Sequence, residues 1–511
     1  MTCGCRPALF ACVLFALCGC VRLAERPELP PEYALPQAAH GSLQRYDERI
    51  RADLSAGESA YWLLDRNELA FLARLAVTDE AVASLDVQYF IWQEDATGNL
   101  LARRVIEAAD RGVKVRLLLD DFGVSSSRSE ILHLDAHSGI EVRVFNPWRN
   151  RSWRFMKGIE FLFRWGMLNR RMHNKTYIAD NRFAIVGGRN IGDRYFGIYK
   201  PFVQDDLDVL VAGTLVSEVS ASFDSYWNSS HAYPMSVFQN SPDAIQPLAR
   251  TESEIAAAIA AHEDALQAFP IERARWTAYF DDLAAAAARG PGELYYDSPQ
   301  IREASAVRLY PQFKELVASA QREVLISSPY FIPDREFREL IRELVARGVR
   351  VAIVTNSLAS NNHVVAHTGY RRWRRDVLRA GAELYELRSD ADALELYVTP
   401  PVDSDSLGLH TKAIVVDGTK IFIGSPNVDP RSMDLNTEIG VVAESAELGR
   451  RLSTLIARDM APENAWRVTL DEEGWLTWSN DDETVRRQPA RGFKQRAVEF
   501  FLNLIPLKKQ A

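Results

Sequence analysis

One signature appears twice in this chain, at matching places in two long halves, and the duplication limits the possible fold more than any other feature. His173-x-Lys175-x4-Asp180 leads, after six intervening residues, into Gly187-Gly188-Arg189-Asn190. His410-x-Lys412-x4-Asp417 leads, at the same offset, into Gly424-Ser425-Pro426-Asn427. The similarity extends upstream. Val87 to Ile91 reads as a strand, followed by a helical stretch and then Arg111-Gly112-Val113-Lys114-Val115-Arg116-Leu117-Leu118. Ser328 to Ile332 is likewise followed by a helical stretch and Arg347-Gly348-Val349-Arg350-Val351-Ala352-Ile353-Val354. Each copy is a strand-helix-strand unit whose helix closes on a glycine. Gly139-Ile140-Glu141 then matches Gly381-Ala382-Glu383 at the entry to another strand. An ordered series repeated over this distance predicts two homologous domains.

The expected fold class is α/β. Two similar domains, 60–245 and 291–470, each hold a mixed β-sheet flanked by helices, with the active site at their interface. Residues 246–290 are Ala-rich and read as a helical insertion or linker. Residues 471–511 form a C-terminal amphipathic segment, and 20–59 a tether and N-terminal segment, with Pro27, Pro30, Pro31 and Pro36 in its proline-rich part.

Cysteine placement excludes two classes of chemistry. All five cysteines lie within the first twenty of the 511 residues, so neither a disulfide scaffold nor a zinc-thiolate enzyme is available to the body. Arg6 followed by the apolar run Pro7 to Leu17 suits a signal peptide over 1–19 and is too short to span a bilayer. Leu17-Cys18-Gly19-Cys20 resembles a bacterial lipobox, which implies lipid attachment at Cys20. The expected location is the bacterial cell envelope, on the periplasmic side, with the protein membrane-anchored. With 60 Lys and Arg against 69 Asp and Glu, the chain is net acidic, which argues against a general coat for nucleic acid.

The twin motifs carry the chemistry. His and Lys two apart on a strand project to the same face. Two imidazoles, two ammonium groups and the amides of Asn190 and Asn427, with Ser425 beside the latter, suit a phosphodiester. One imidazole can attack phosphorus while the other protonates the departing oxygen. The lysines supply the charge neutralisation, so no metal and no cofactor is expected. Asp180 and Asp417 complete the motifs and count with the catalytic candidates, although their nearer task is to fix a turn. Each histidine needs an orienting carboxylate. Aligning Asp205-Asp206-Leu207-Asp208-Val209 with Asn436-Thr437-Glu438-Ile439-Gly440-Val441 pairs Asp206 with Glu438. Asp208 is the fallback and reads as a solvated strand residue.

These motifs resemble the phospholipase D superfamily, in which twin HKD motifs build one site between two α/β domains. The resemblance covers roughly 60–470. It implies that one motif histidine becomes a phosphohistidine and the other acts as general acid and then base. By analogy His173 is the nucleophile and His410 the acid/base, with the reverse assignment left open. Asn427-Val428-Asp429-Pro430-Arg431-Ser432 running on to Asn436-Thr437-Glu438 resembles bacterial cardiolipin synthases, as do Arg171-Met172-His173-Asn174-Lys175 and Gly188 to Phe196. The overall layout is most similar to their C branch. What this implies is a phosphatidyltransferase acting on phosphatidylglycerol, with a second phosphatidylglycerol or phosphatidylethanolamine as donor. The alternatives are a phospholipase D releasing phosphatidic acid, a phosphodiesterase or nuclease of the same superfamily, and a non-catalytic membrane scaffold. The expected partners are phospholipids and the membrane, not nucleic acid; the sequence specifies no accessory subunit.

Trp148 to Arg171 interleaves seven basic residues and six aromatics with one acidic residue, a composition suited to anionic headgroups. Packing beside the site with a basic face exposed is the plainer reading. Phe493 to Lys509 is amphipathic and suits either an interface or docking on the body. His363 and His367 stand four apart but lack further ligands nearby, which disfavours zinc. The Arg371-Arg372-x-Arg374-Arg375 run reads as a solvated helix face.

Overall fold

The computed structural model describes residues 24–124, 130–148, 168–238, 244–267, 269, 271–300, 306–361 and 364–504. Cys20, His363, the signal-peptide region and most of the basic-aromatic stretch before His173 lie outside these residues.

Eighteen strands form one sheet, arranged almost symmetrically about its middle. From the outer edge of the first half inward, the strands are Ala232–Pro234, Ile140–Phe145, Lys114–Asp120, Ser84–Tyr89, Thr176–Ala179, Phe183–Gly187, Asp208–Gly213 and Glu58–Leu64. The last pairs antiparallel with Ala288–Tyr296, which opens the second half. Outward from there run Ile439–Glu444, Lys420–Gly424, Ala413–Val416, Glu323–Ser327, Arg350–Asn356, Glu383–Leu387, Ala465–Leu470, Leu476–Ser479 and Thr484–Val485. Each half has three parallel strands flanked by antiparallel ones, the mixed sheet expected from the repeat.

The repeated helices share their end signals. Asp95 caps helix Ala96–Asp110 by accepting from the Gly98 amide, and Asp334 caps Arg335–Ala346 by accepting from the Phe337 amide. Gly112 and Gly348 take positive φ, 94° and 83°, where the chain leaves each helix for the next strand.

The halves share a core. Strand Phe183–Gly187 of the first half lies against Lys420–Gly424 and Ile439–Glu444 of the second. Val186, Val209 and Val211 join Ala413, Ile423, Ile439 and Val441 in one buried cluster. Burying the valines and isoleucines among them contributes roughly 1.5–3 kcal/mol each, so the junction is a packed part of the core.

Three expectations are corrected. The segment before residue 59 is not a free tether. Glu32 and Ala34 donate backbone N–H groups to Asn228 and Asp224, Ala38 donates to the Asp180 carbonyl, and Glu58–Leu64 is the innermost strand of the first half. Nor is 246–290 wholly a linker. Its helix Trp276–Ala285 packs Phe280 onto Tyr46 and Phe183, and strand Ala288–Tyr296 starts inside it. Asp208 is buried, not solvated, and ion-paired to the buried Arg74 at 2.8 Å. Among the described residues, no helix is long and apolar enough to cross a membrane.

Candidate active site

Two short parallel contacts across the junction deliver the histidines. Val203-Gln204-Asp205 of the first half pairs in parallel with Leu407-Gly408-Leu409 of the second. The His410 and Thr411 amides both donate to the Asp205 carbonyl. On the other side Met172 bridges Thr437 in the same sense, and the His173 amide donates to the Thr437 carbonyl at 2.9 Å. Each motif therefore runs beside the carboxylate-bearing segment of the opposite half. The orienting pairs are crossed: His173 Nδ1 meets Glu438 Oε2 at 2.8 Å, and His410 Nδ1 meets Asp206 Oδ2 at 2.5 Å. Both contacts engage Nδ1, so each carboxylate fixes the orientation of the imidazole from the opposite half.

Strand ends pin the motifs. Asp120, last in its strand, accepts from the Met172 amide at 2.8 Å, and Asn356, last in the corresponding strand, accepts from the Leu409 amide at 2.9 Å. The side chain between His and Lys also reaches across. Asn174 Oδ1 accepts from the Thr437 hydroxyl, and the Thr411 hydroxyl donates to Asp205 Oδ1. Asp297 holds the Glu438 amide at 3.0 Å. Phe90 sets its ring edge-on to His173 at 5.0 Å, and Tyr195 does the same to His410 at 5.4 Å.

Burial governs the protonation states. It pushes the His173 imidazole down to about 4; Glu438 opposes that shift and Lys175 adds to it. It lowers Lys175 to about 7, countered by Glu438, and Lys412 to about 8, countered by Asp206. Burial alone would raise the Glu438 carboxyl, but His173, Lys175 and the Ser425 hydroxyl hold it below the ordinary value. Asp206 goes the other way: burial raises it in spite of Lys412 and Arg189. His173 is thus held as the free base near neutrality, where the two lysines are poised to lose or gain a proton.

The remaining candidates separate by position. Asp180 and Asp417 do not touch the histidines. Each sits at a turn with positive φ and accepts three successive backbone N–H groups, Val82 to Ser84 for Asp180 and Gln321 to Glu323 for Asp417. They take the turn-fixing role expected of them, tying each motif hairpin to the start of the neighbouring strand. Asn190 is held by the protein at both ends of its amide. Its Oδ1 accepts from the Ile91 amide and its Nδ2 donates to the Tyr195 hydroxyl, so it positions the ring beside His410. Ser425 donates to Glu438 Oε2 at 2.5 Å and accepts from the Ile439 amide, which makes it a support for Glu438. Asn427 Oδ1 is buried without a hydrogen-bond partner among the described residues. His367 is buried where Arg374 donates to its Nε2. Among the described residues no cluster of His, Cys, Asp or Glu is arranged to hold a metal ion.

Gly188 is the first-half counterpart of Ser425 and went unnoticed as a site residue. A Cβ there would stand 2.2 Å from Asp206 Oδ1, so only glycine leaves the carboxylate its place. Asn174, Thr411, Asp297 and Asp120 were missed as well. The first two lie inside quoted motifs, but nothing in sequence indicates a contact to the other half.

Residues 75–227 and 313–460 match the family model described as cardiolipin synthase, PLD-like domain. The chain belongs to this family. Cardiolipin synthase C of Escherichia coli (strain K12) is 34% identical over 463 residues, covering 88% of this chain and 96% of that relative. Cardiolipin synthase B of the same organism is 24% identical, covering 79% and 84%. Among solved structures, the phosphatidylserine synthase of Haemophilus influenzae Rd KW20 superposes with a TM-score of 0.53 at 15% identity, covering 81% of this chain and 90% of that one, and shares the fold. The two matched segments of the family model fall one in each half of the sheet.

Proposed function

We propose that this protein transfers a phosphatidyl group to a hydroxyl of phosphatidylglycerol, forming cardiolipin through a phosphohistidine at His173. The observation that carries this reading is the pair of crossed imidazole–carboxylate contacts, His173–Glu438 and His410–Asp206, closing on one site with Lys175 and Lys412. Similarity to cardiolipin synthase C supports the choice of acceptor.

In the first step His173 Nε2 attacks phosphorus and the ester bond to the departing alcohol breaks. His410 gives that oxygen its proton, and Asp206 stabilises the imidazolium beforehand. A nucleophile must be unprotonated, which suits the lowered His173. In the second step neutral His410 takes the proton from the acceptor hydroxyl, whose oxygen displaces His173 from phosphorus. Lys175 and Lys412 offset charge on the non-bridging oxygens throughout. The phosphatidyl donor is a second phosphatidylglycerol or phosphatidylethanolamine, and attachment to the membrane is assigned to a lipid on Cys20.

Incubation with acyl-labelled phosphatidylglycerol, with and without phosphatidylethanolamine, tests the reading. Labelled cardiolipin is expected in both or in one of the two. Phosphatidic acid without cardiolipin would instead identify a hydrolase.

A further inference from the structure

The C-terminal arm is fastened to the outer part of the second half. Arg491 donates to the carbonyls of Ala359 and Asn361, Gln495 to that of Leu358, and Arg371 pairs with Glu499 at 3.1 Å. These anchors hold the loop after strand Arg350–Asn356, whose Asn356 in turn fixes Leu409 beside His410.

Between this arm, the helices of residues 364–379 and strand Leu476–Ser479 lies an open cavity of about 750 Å³. Six arginines line it against one carboxylate, Glu499. Some are already committed. The buried Arg374 pairs with Glu386, Arg486 pairs with Asp471, and Arg371 holds Glu499. Arg375 and Arg487 are exposed, with no carboxylate partner among the described residues. Arg496 donates to the Gln488 carbonyl; burial and the neighbouring Arg487 both lower its affinity for its proton. Two large apolar side chains share the same lining and face solvent: Trp475 at 58% exposure and Phe493 at 82%.

With three of the six guanidinium groups paired to carboxylates, those of Arg375 and Arg487 leave the cavity net positive, and their forked donors match phosphate oxygens. Exposed aromatics beside basic groups suit the level of lipid headgroups. We propose that this cavity receives the phosphate headgroup of an anionic phospholipid at a bilayer surface, with Trp475 and Phe493 entering the interface. The site lies apart from the twin motifs and rests on its own charge and shape, not on the proposed transfer reaction. It gives the second half a membrane contact in addition to any lipid on Cys20, joined to the loop behind His410.

Co-sedimentation of the full chain carrying Cys20→Ser with phosphatidylcholine vesicles, with and without phosphatidylglycerol, tests this without reference to turnover. Binding is expected to rise with the phosphatidylglycerol fraction and to weaken with added salt. Arg375→Glu with Arg487→Glu should weaken binding to phosphatidylglycerol vesicles about tenfold or more, leaving the phosphatidylcholine background unchanged. Trp475→Ala with Phe493→Ala, both at exposed positions, should weaken it less while the thermal midpoint is retained. Undiminished binding in both double variants overturns the proposal. Arginine-dependent binding of glycerol 3-phosphate or of a single-stranded oligonucleotide, with no dependence on vesicle charge, overturns it as well.

Discussion

His410 and Asp206 are 204 residues apart in sequence and 2.5 Å apart in space, each supplied by a different half of the molecule. His173 and Glu438 repeat the exchange. Neither half alone contains an oriented imidazole. Glu438→Gln and Asp206→Asn should therefore each lower kcat on the order of a hundred- to ten-thousandfold with the fold intact. Combining Glu438→Gln with His173→Ala should add little to His173→Ala alone, because the carboxylate acts through that ring. Steady-state kinetics on Glu438→Gln, His173→Ala and their double variant checks this; fully multiplicative losses would count against the pairing.

The two carboxylates are seated differently, by a hydroxyl at Ser425 and by empty space at Gly188. Gly188→Ala places a methyl against Asp206 Oδ1 and should displace it from His410, with a greater loss of kcat than Ser425→Ala. The latter removes one hydrogen bond to Glu438, worth roughly 1–3 kcal/mol for a buried charged acceptor. The ratio of the two kcat values is the readout, and the opposite order would contradict this picture of the site.

Asp180 and Asp417 predict a different signature. Each carboxylate gathers three backbone N–H groups at a turn away from the histidines. Asp180→Asn and Asp417→Asn should cost about 1–3 kcal/mol of stability each, seen as a lower thermal midpoint. Turnover per folded molecule should change little. A large fall in kcat at unchanged stability would return these residues to the chemistry.

The lowered lysines set a pH dependence. With Lys175 at about 7 and Lys412 at about 8, both are partly deprotonated near neutrality, and an anionic phosphodiester favours their charged forms. Substrate binding therefore takes up protons, and the uptake becomes costlier as pH rises. KM for phosphatidylglycerol should climb between about pH 7 and 9, with kcat less affected. A KM that is flat over this range would contradict the lysine environment described.

The repeat was legible because His-x-Lys, the glycine after each helix and the alternating apolar strands are local patterns that recur. Alignment of that alternation also singled out Asp206 and Glu438. The crossing of the pairs was not legible, since it depends on three-residue parallel contacts such as Val203–Asp205 with Leu407–Leu409, too short to carry periodicity. Asp208 looked solvated because its neutralising partner, Arg74, comes from a helix 134 residues earlier. The proline-rich segment looked like a tether because proline content reports backbone stiffness. The Asn228 and Asp224 side chains that fasten it belong to a distant helix end. The contacts of Asn190 were hidden for a similar reason: its partners, Ile91 and Tyr195, meet only in the folded chain.

The central claim is that phosphorus passes through His173 and not through His410. Rapid quenching of the enzyme with phosphatidylglycerol and, separately, with phosphatidylethanolamine, each labelled at phosphorus, followed by peptide mapping under alkaline conditions, tests it directly. The account predicts label from the donor lipid on the peptide containing His173, and none in His173→Ala. Label on the His410 peptide, or full turnover by His173→Ala, would contradict it.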